Sequence, residues 1–244
     1  MNSTPYNEEK LNVGNSIFPG FNDKEGIMIC GYEYGISTAK DQANHEEEAR
    51  IKEAASKINT FFDKTSIYKS PYDRRICKWF EIFEHPLGED EGKSDFDKTI
   101  LQTNWCDSQD NYVSDYQKFL AKENIDNFIT HVEEYEPKVI FFMGSKLIKY
   151  LQNENVIKEF SSIFGEKIST PTTPNKEYSG KKFKISFQKF EKTTIISLPH
   201  PSGSRGLKDE YIGLYAKEIG GILMEYKSKK FNSQKQQDHQ HEKS

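Results

Sequence analysis

The chain has 244 residues, which suits one compact α/β domain with a real core and leaves too little for two full domains. Hydrophobic content is 34% but aromatic content is 13%, with 17 Phe and 13 Tyr, so much of the core must be aromatic. A net charge of −4 and a pI of about 5.9 argue against a protein that coats nucleic acid through bulk positive charge. An enzyme gripping a few phosphates with helix N-termini and loop amides remains compatible with that charge.

Along the chain, residues 1–26 are polar and irregular and read as an N-terminal arm. Residues 27–31, Ile-Met-Ile-Cys-Gly, are a short apolar run ending in glycine and predict a buried strand. A helix is expected near 44–63, with Ile51, Ala54, Ala55, Ile58 and Phe62 on one side and the acids Glu46, Glu47 and Glu48 on a solvated face. Residues 74–84 are aromatic-rich and read as helical, and 88–95 as an acidic surface loop. Ile100 to Asn104 reads as a second strand. Helical patterning runs from about Ser114 to Tyr135, with a break expected near Asn124 and a stop at Pro137. Val139 to Met143 is a third buried strand, leading through Gly144 into a helix with Leu147, Ile148 and Leu151.

Residues 166–181 predict a long loop. Two alternating strands follow, Phe183 to Phe190 and Thr193 to Leu198, joined tightly by Glu191 and Lys192. The last helix is expected over 208–226, and 227–244 as a disordered polar tail. The domain proper is therefore 27–226. Strands alternating with helices imply a mostly parallel sheet covered on both faces, with ligands gathering beyond the carboxyl ends of the strands.

No apolar run approaches the length of a membrane span and no basic-then-apolar start marks a signal peptide, so a cytoplasmic protein is expected. Cys30, Cys77 and Cys106 are scattered and odd in number, without a CxxC pair. They read as small buried thiols and not as a disulfide framework, a zinc site or an iron–sulfur site.

Three polar clusters fall where predicted strands end. The first is Gly31-Tyr32-Glu33-Tyr34-Gly35, in which two glycines flank a carboxylate at a tight turn. The second is Asn104-Trp105-Cys106, whose side-chain amide offers a donor and an acceptor side by side, suited to a pyrimidine edge. The third is Leu198-Pro199-His200-Pro201-Ser202-Gly203-Ser204-Arg205-Gly206. Its prolines fix the path around His200, and its small residues leave backbone amides open for a phosphate.

Taken together, these residues resemble the uracil-DNA glycosylase superfamily, whose members carry G-x-[DN]-P-[YG] after the first strand and H-P-S or N-P-S after the last. The 198–219 segment is similar to the L-P-N-P-S-G-L-S-R loop and helix of the mismatch-specific branch. Asn104-Trp105-Cys106 resembles the N-x-C segment of the single-strand-selective branch, and His200 the histidine of the uracil-specific branch. The resemblance implies a three-layer α/β/α sandwich with a central, mostly parallel four-stranded sheet.

It also implies a monofunctional DNA glycosylase that hydrolyses the N-glycosidic bond of a flipped base and leaves an abasic site. DNA is the implied partner, the protein a monomer, and no cofactor, metal or cluster is needed. In that scheme Glu33 positions and polarises the attacking water, while His200 stabilises the departing base, working best as a neutral dipole. Asn104 reads the base, with Tyr34, Gly35 and an aromatic such as Phe80 or Trp79 around it. Ser202, Gly203 and Ser204 hold backbone phosphates, and Arg205 fills the space left by the extruded nucleotide.

Two residues depart from the family pattern: Tyr34 replaces the proline, and Glu33 is longer by one methylene than Asp. Gly35 stands where uracil-specific members carry a tyrosine, so the pocket is expected to tolerate bulk at C5, as in 5-modified uracils or cytosines. A competing reading keeps the fold and drops the reaction: a relative that binds modified DNA, for example in defence against phage, without cleaving it. A serine hydrolase using Ser202 and His200 is disfavoured, because neighbours in one Pro-rich loop rarely reach nucleophile–base geometry and no G-x-S-x-G elbow is present.

Overall fold

A computed structural model describes residues 24–33, 71–88, 94–106 and 116–241. In chain order the elements are β1 (Ile27–Gly31), α1 (Pro71–Ile82), β2 (Ile100–Asn104), α2 (Lys122–Tyr135), β3 (Val139–Met143), α3 (Leu147–Leu151), α4 (Glu154–Phe164), β4 (Ser186–Lys189), β5 (Thr194–Leu198), α5 (Asp209–Gly213) and α6 (Ala216–His241). Short 3-10 turns at Asp97–Thr99 and Tyr116–Leu120 precede β2 and α2.

The strands form one sheet in the order β2-β1-β3-β5-β4. The first four run parallel, and β4 pairs antiparallel with β5 at the edge. The sheet is thus five-stranded where four strands were expected, because the 183–198 hairpin adds an antiparallel edge to four parallel strands. Only Ser186–Lys189 of the expected 183–190 strand keeps the ladder.

Strand periodicity distributes the core. Ile27, Ile29, Ile100, Val139, Phe141, Ile196 and Leu198 face α1 and α6, whose Ile76, Trp79, Phe80, Ile219 and Leu223 complete that layer. Their alternates Met28, Cys30, Leu101, Ile140, Phe142 and Ile195 face α2, α3 and α4, with Phe128, Val132, Leu151 and Phe160. Both faces are covered, which explains why β1 and β3 are buried at every position. The sheet flanked by helices is compatible with a three-layer α/β/α arrangement.

Several boundaries differ from the sequence expectation. Helix α1 opens at Pro71, whose fixed φ and missing N–H suit a first turn. The break before α2 falls at Ala121, since Asn124 turns its amide back to the Lys118 carbonyl at 2.8 Å. α2 ends on Glu136 in the left-handed region (φ 50°), directly before Pro137. The expected last helix is divided at Leu214 and Tyr215 into α5 and α6. Beyond Tyr226, where a disordered tail was expected, α6 continues: Lys227 lies over the Phe96 ring at 4.5 Å and Phe231 packs against the core. The expected 44–63 helix lies outside the described residues, as does nearly all of the N-terminal arm. No helix among the described residues is long and apolar enough to cross a membrane.

Candidate functional site

Parallel register brings the strand ends into one row. Gly31 pairs with Asn104, Cys30 with Phe142, and Met143 with Leu198. The residues that follow, Tyr32-Glu33, Trp105-Cys106, Gly144 and Pro199-His200, therefore leave the sheet together at its carboxyl edge. This is the convergence expected from the three sequence clusters.

His200 is held from two sides. Its Nδ1 accepts the Gly203 N–H at 2.8 Å, and Ser202 Oγ lies 3.4 Å from the same atom. The neutral ring therefore carries its proton on Nε2. Burial pushes its pKa down from 6.5 to about 4, so the imidazole is uncharged near neutrality. The Tyr32 ring lies nearly parallel to it (6°, centroids 5.9 Å) and the Tyr72 ring is tilted against it at 5.2 Å.

Glycines make the close approaches possible. A Cβ at Gly31 would overlap the Asn104 amide oxygen and press on the Tyr72 hydroxyl, so Asn104 lies across bare backbone. A Cβ at Gly144 would overlap the Tyr32 ring, whose hydroxyl accepts the Lys146 N–H at 3.2 Å. The Asn104 and Trp105 carbonyls are anchored by the Asn127 amide at 3.2 and 2.9 Å. Asn104 thus sits beside Tyr72, which in turn touches His200.

Glu33 follows Tyr32 in the chain but is turned towards the Tyr116–Leu120 segment. Its side chain is 3% exposed and its carboxylate forms an ion pair with Lys118. Cys106 lies close by; burial, and then the Glu33 charge, push its thiol up to about 12. Burial likewise raises Cys30, which is fully buried, and takes Cys77 to about 12.

The phosphate-loop candidates are at the surface: Ser202, Gly203 and Arg205 are exposed and Ser204 is half-buried. Phe80 is placed elsewhere. It is 1% exposed and packed between Phe83, Phe96 and Phe141 in the core, so it is a packing residue and does not join the strand-end cluster. Trp79 is also buried, donating its indole N–H to Asp209 at 3.0 Å. Tyr34 and Gly35 lie outside the described residues.

The structure adds four residues that the sequence reading missed. Tyr32 and Tyr72 supply the aromatic faces around His200. Burial, then the nearby Asp73, holds the Tyr72 phenol well above its ordinary pKa, so it stays a neutral hydroxyl. Lys118 pairs with Glu33. Arg75, from α1, grips the His200 loop: it donates to Asp209 and the Pro201 carbonyl at 2.9 Å each, and to the Leu207 carbonyl. Tyr32 could have been found, being inside the first motif. The others act across 85 to 134 residues of chain, which leaves no local signal.

Compared with protein-family models and with curated proteins, the sequence matches none.

Proposed function

We propose that this protein is a DNA glycosylase of the uracil-DNA glycosylase superfamily, hydrolysing the N-glycosidic bond of uracil or a 5-modified pyrimidine flipped out of DNA. The observation that carries this reading is His200: a neutral imidazole with its Nδ1 already used by Gly203, hence an Nε2–H donor, in a rigid loop at the carboxyl edge of the parallel sheet. Such a donor stabilises negative charge developing on a leaving base without reorganising. Asn104 reads the base edge, and Tyr72 and Tyr32 offer a hydroxyl and a ring on either side. The four parallel strands and the placement of the three motifs at one sheet edge support the superfamily reading.

Glu33 takes the role of water activation, its carboxylate oriented by Lys118. Replacing Glu33 by Gln is expected to lower base release about 10²–10⁴-fold with DNA binding largely retained. The test is a base-release screen by mass spectrometry over DNAs carrying natural and modified pyrimidines, with alkali cleavage reporting the abasic site. Release of no base from any of them would overturn the reaction. One observation favours the second reading, a relative that binds modified DNA without cleaving it: the Glu33 carboxylate is buried and already ion-paired. Binding of a modified oligonucleotide with no abasic product would select it.

A further inference from the structure

The 166–181 loop, to which the sequence assigned no role, builds a concavity against the segment that follows His200. Its cavity of about 200 Å³ is lined by Tyr178, Lys181, Phe183, Gly206, Lys208 and Tyr211. A two-residue turn forms one wall: Tyr178 and Lys181 exchange backbone hydrogen bonds at 3.0 and 3.1 Å around Ser179 and Gly180, both with positive φ. Tyr211 is the floor, 1% exposed, with its hydroxyl 2.6 Å from the Phe183 carbonyl and the Phe183 ring set edge-on at 5.2 Å. Tyr178 and Phe183 are half-buried and present ring surface at the rim.

The charge of the cavity is one-sided. The Lys181 ammonium lies against Gly206, where φ is 77° and a Cβ would overlap it. Lys208 stands two residues further on. Among the described residues neither lysine makes a side-chain hydrogen bond or ion pair, and no acid lines the cavity. Of the neighbouring acids, Asp209 pairs with Arg75 and Glu177 with Lys182. Two unneutralised cations beside aromatic walls, in a chain of net charge −4, mark a place for an anion that carries a ring.

We infer that this cavity seats one backbone phosphate of a DNA strand running past the His200 loop, on Lys181 and Lys208, with the adjoining sugar or base against Tyr178 and Phe183. It is smaller than the roughly 300–1,000 Å³ typical of sites for drug-sized ligands, which suits a single phosphate and its neighbour. Gly206 is six residues from His200, at most ~20 Å of extended chain, so one strand can reach both. The inference deepens the proposed function and rests on it for the identity of the polymer.

Its test is the salt dependence of binding, measured by fluorescence anisotropy with an unmodified single-stranded DNA oligonucleotide. The paired substitution Lys181→Gln with Lys208→Gln should weaken binding and flatten the slope of log affinity against log salt by about 0.7, the loss of one phosphate contact on a single strand. Lys181→Arg with Lys208→Arg should restore the slope, and Tyr178→Ala should weaken binding by about 5-fold or more through lost stacking. An unchanged slope in the Gln pair, or a wild-type protein that does not bind the oligonucleotide, would overturn the subsite. Base release with an unchanged slope sinks the subsite alone, whereas a flattened slope with no base release sinks the glycosylase and leaves the subsite standing.

Discussion

At the scale of one residue, the protonation of His200 bears on stability and on the proposed chemistry. Its pKa is lowered by burial from 6.5 to about 4. An unfolded chain binds this proton below about 6.5, the folded one only below about 4, so between those values the unfolded state holds more protons. The contribution of His200 to stability is therefore level above 6.5 and falls as the pH drops through that window. His200→Asn should remove this fall, because Oδ1 can take the place of Nδ1 in accepting the Gly203 N–H and does not titrate. Urea denaturation at about pH 5 and about pH 7.5 checks it: the wild type should lose more stability on acidification than the variant. Equal losses would mean that His200 titrates normally and is not the neutral donor the proposed reaction requires. The motif around His200 was legible because two prolines and a strand end isolate it in the chain. Its partners Tyr72 and Arg75 were not: they reach it from far away in the chain, and on their helix the sequence drew attention to Phe80 and Trp79 instead.

At the scale of elements, the His200 loop is tied to α1. The Arg75 guanidinium reaches two carbonyls of the loop and the Asp209 carboxylate, and Asp209 also receives the Trp79 indole N–H. A lysine offers a point charge and cannot span these acceptors as a planar fork does. Arg75→Lys is expected to cost about 1.5–3 kcal/mol, the range for hydrogen bonds involving a charged group. DNA affinity should fall with it, because the loop loses its path. A variant with wild-type stability and affinity would show that the prolines suffice. The same element explains why the aromatics expected to stack on a base are buried. Trp79 and Phe80 occupy the right interval of sequence, but α1 turns that face onto β1 and β3, and the rings left for the site come from its first turn and from the end of β1. The four parallel strands were readable as continuous apolar runs because both sheet faces are covered. The edge strand was read too long because its pairing stops where Phe190 and Phe183 turn to pack elsewhere.

At the scale of the whole molecule, the sheet sets the candidate site apart from the contacts made by α6. Glu33, Asn104 and His200 stand at the carboxyl edge, whereas residues 227–231 of α6 pack at the opposite edge. There Lys227 covers the Phe96 ring ahead of β2, Lys230 donates to the Lys24 carbonyl ahead of β1 at 2.7 Å, and Phe231 joins the core. Composition hid this, because a Lys-rich segment with a single aromatic reads as solvated tail. A chain stopped after Tyr226 loses a cation–π contact of about 0.5–1 kcal/mol, a hydrogen bond of about 0.5–1.5 and part of a buried Phe. The sum is roughly 2 kcal/mol, which for a domain of this size lowers the melting temperature by about 4–8 °C. A chain stopped after Phe231 keeps all three interactions and should melt close to the full-length protein. On the proposed function, both should bind DNA equally well at temperatures where they are folded, since nothing at the carboxyl edge has been touched. If the shorter chain melted with the longer one, residues 227–231 would contribute nothing to the domain. If it were stable but failed to bind, the two edges would be coupled through the sheet and the separation would be wrong.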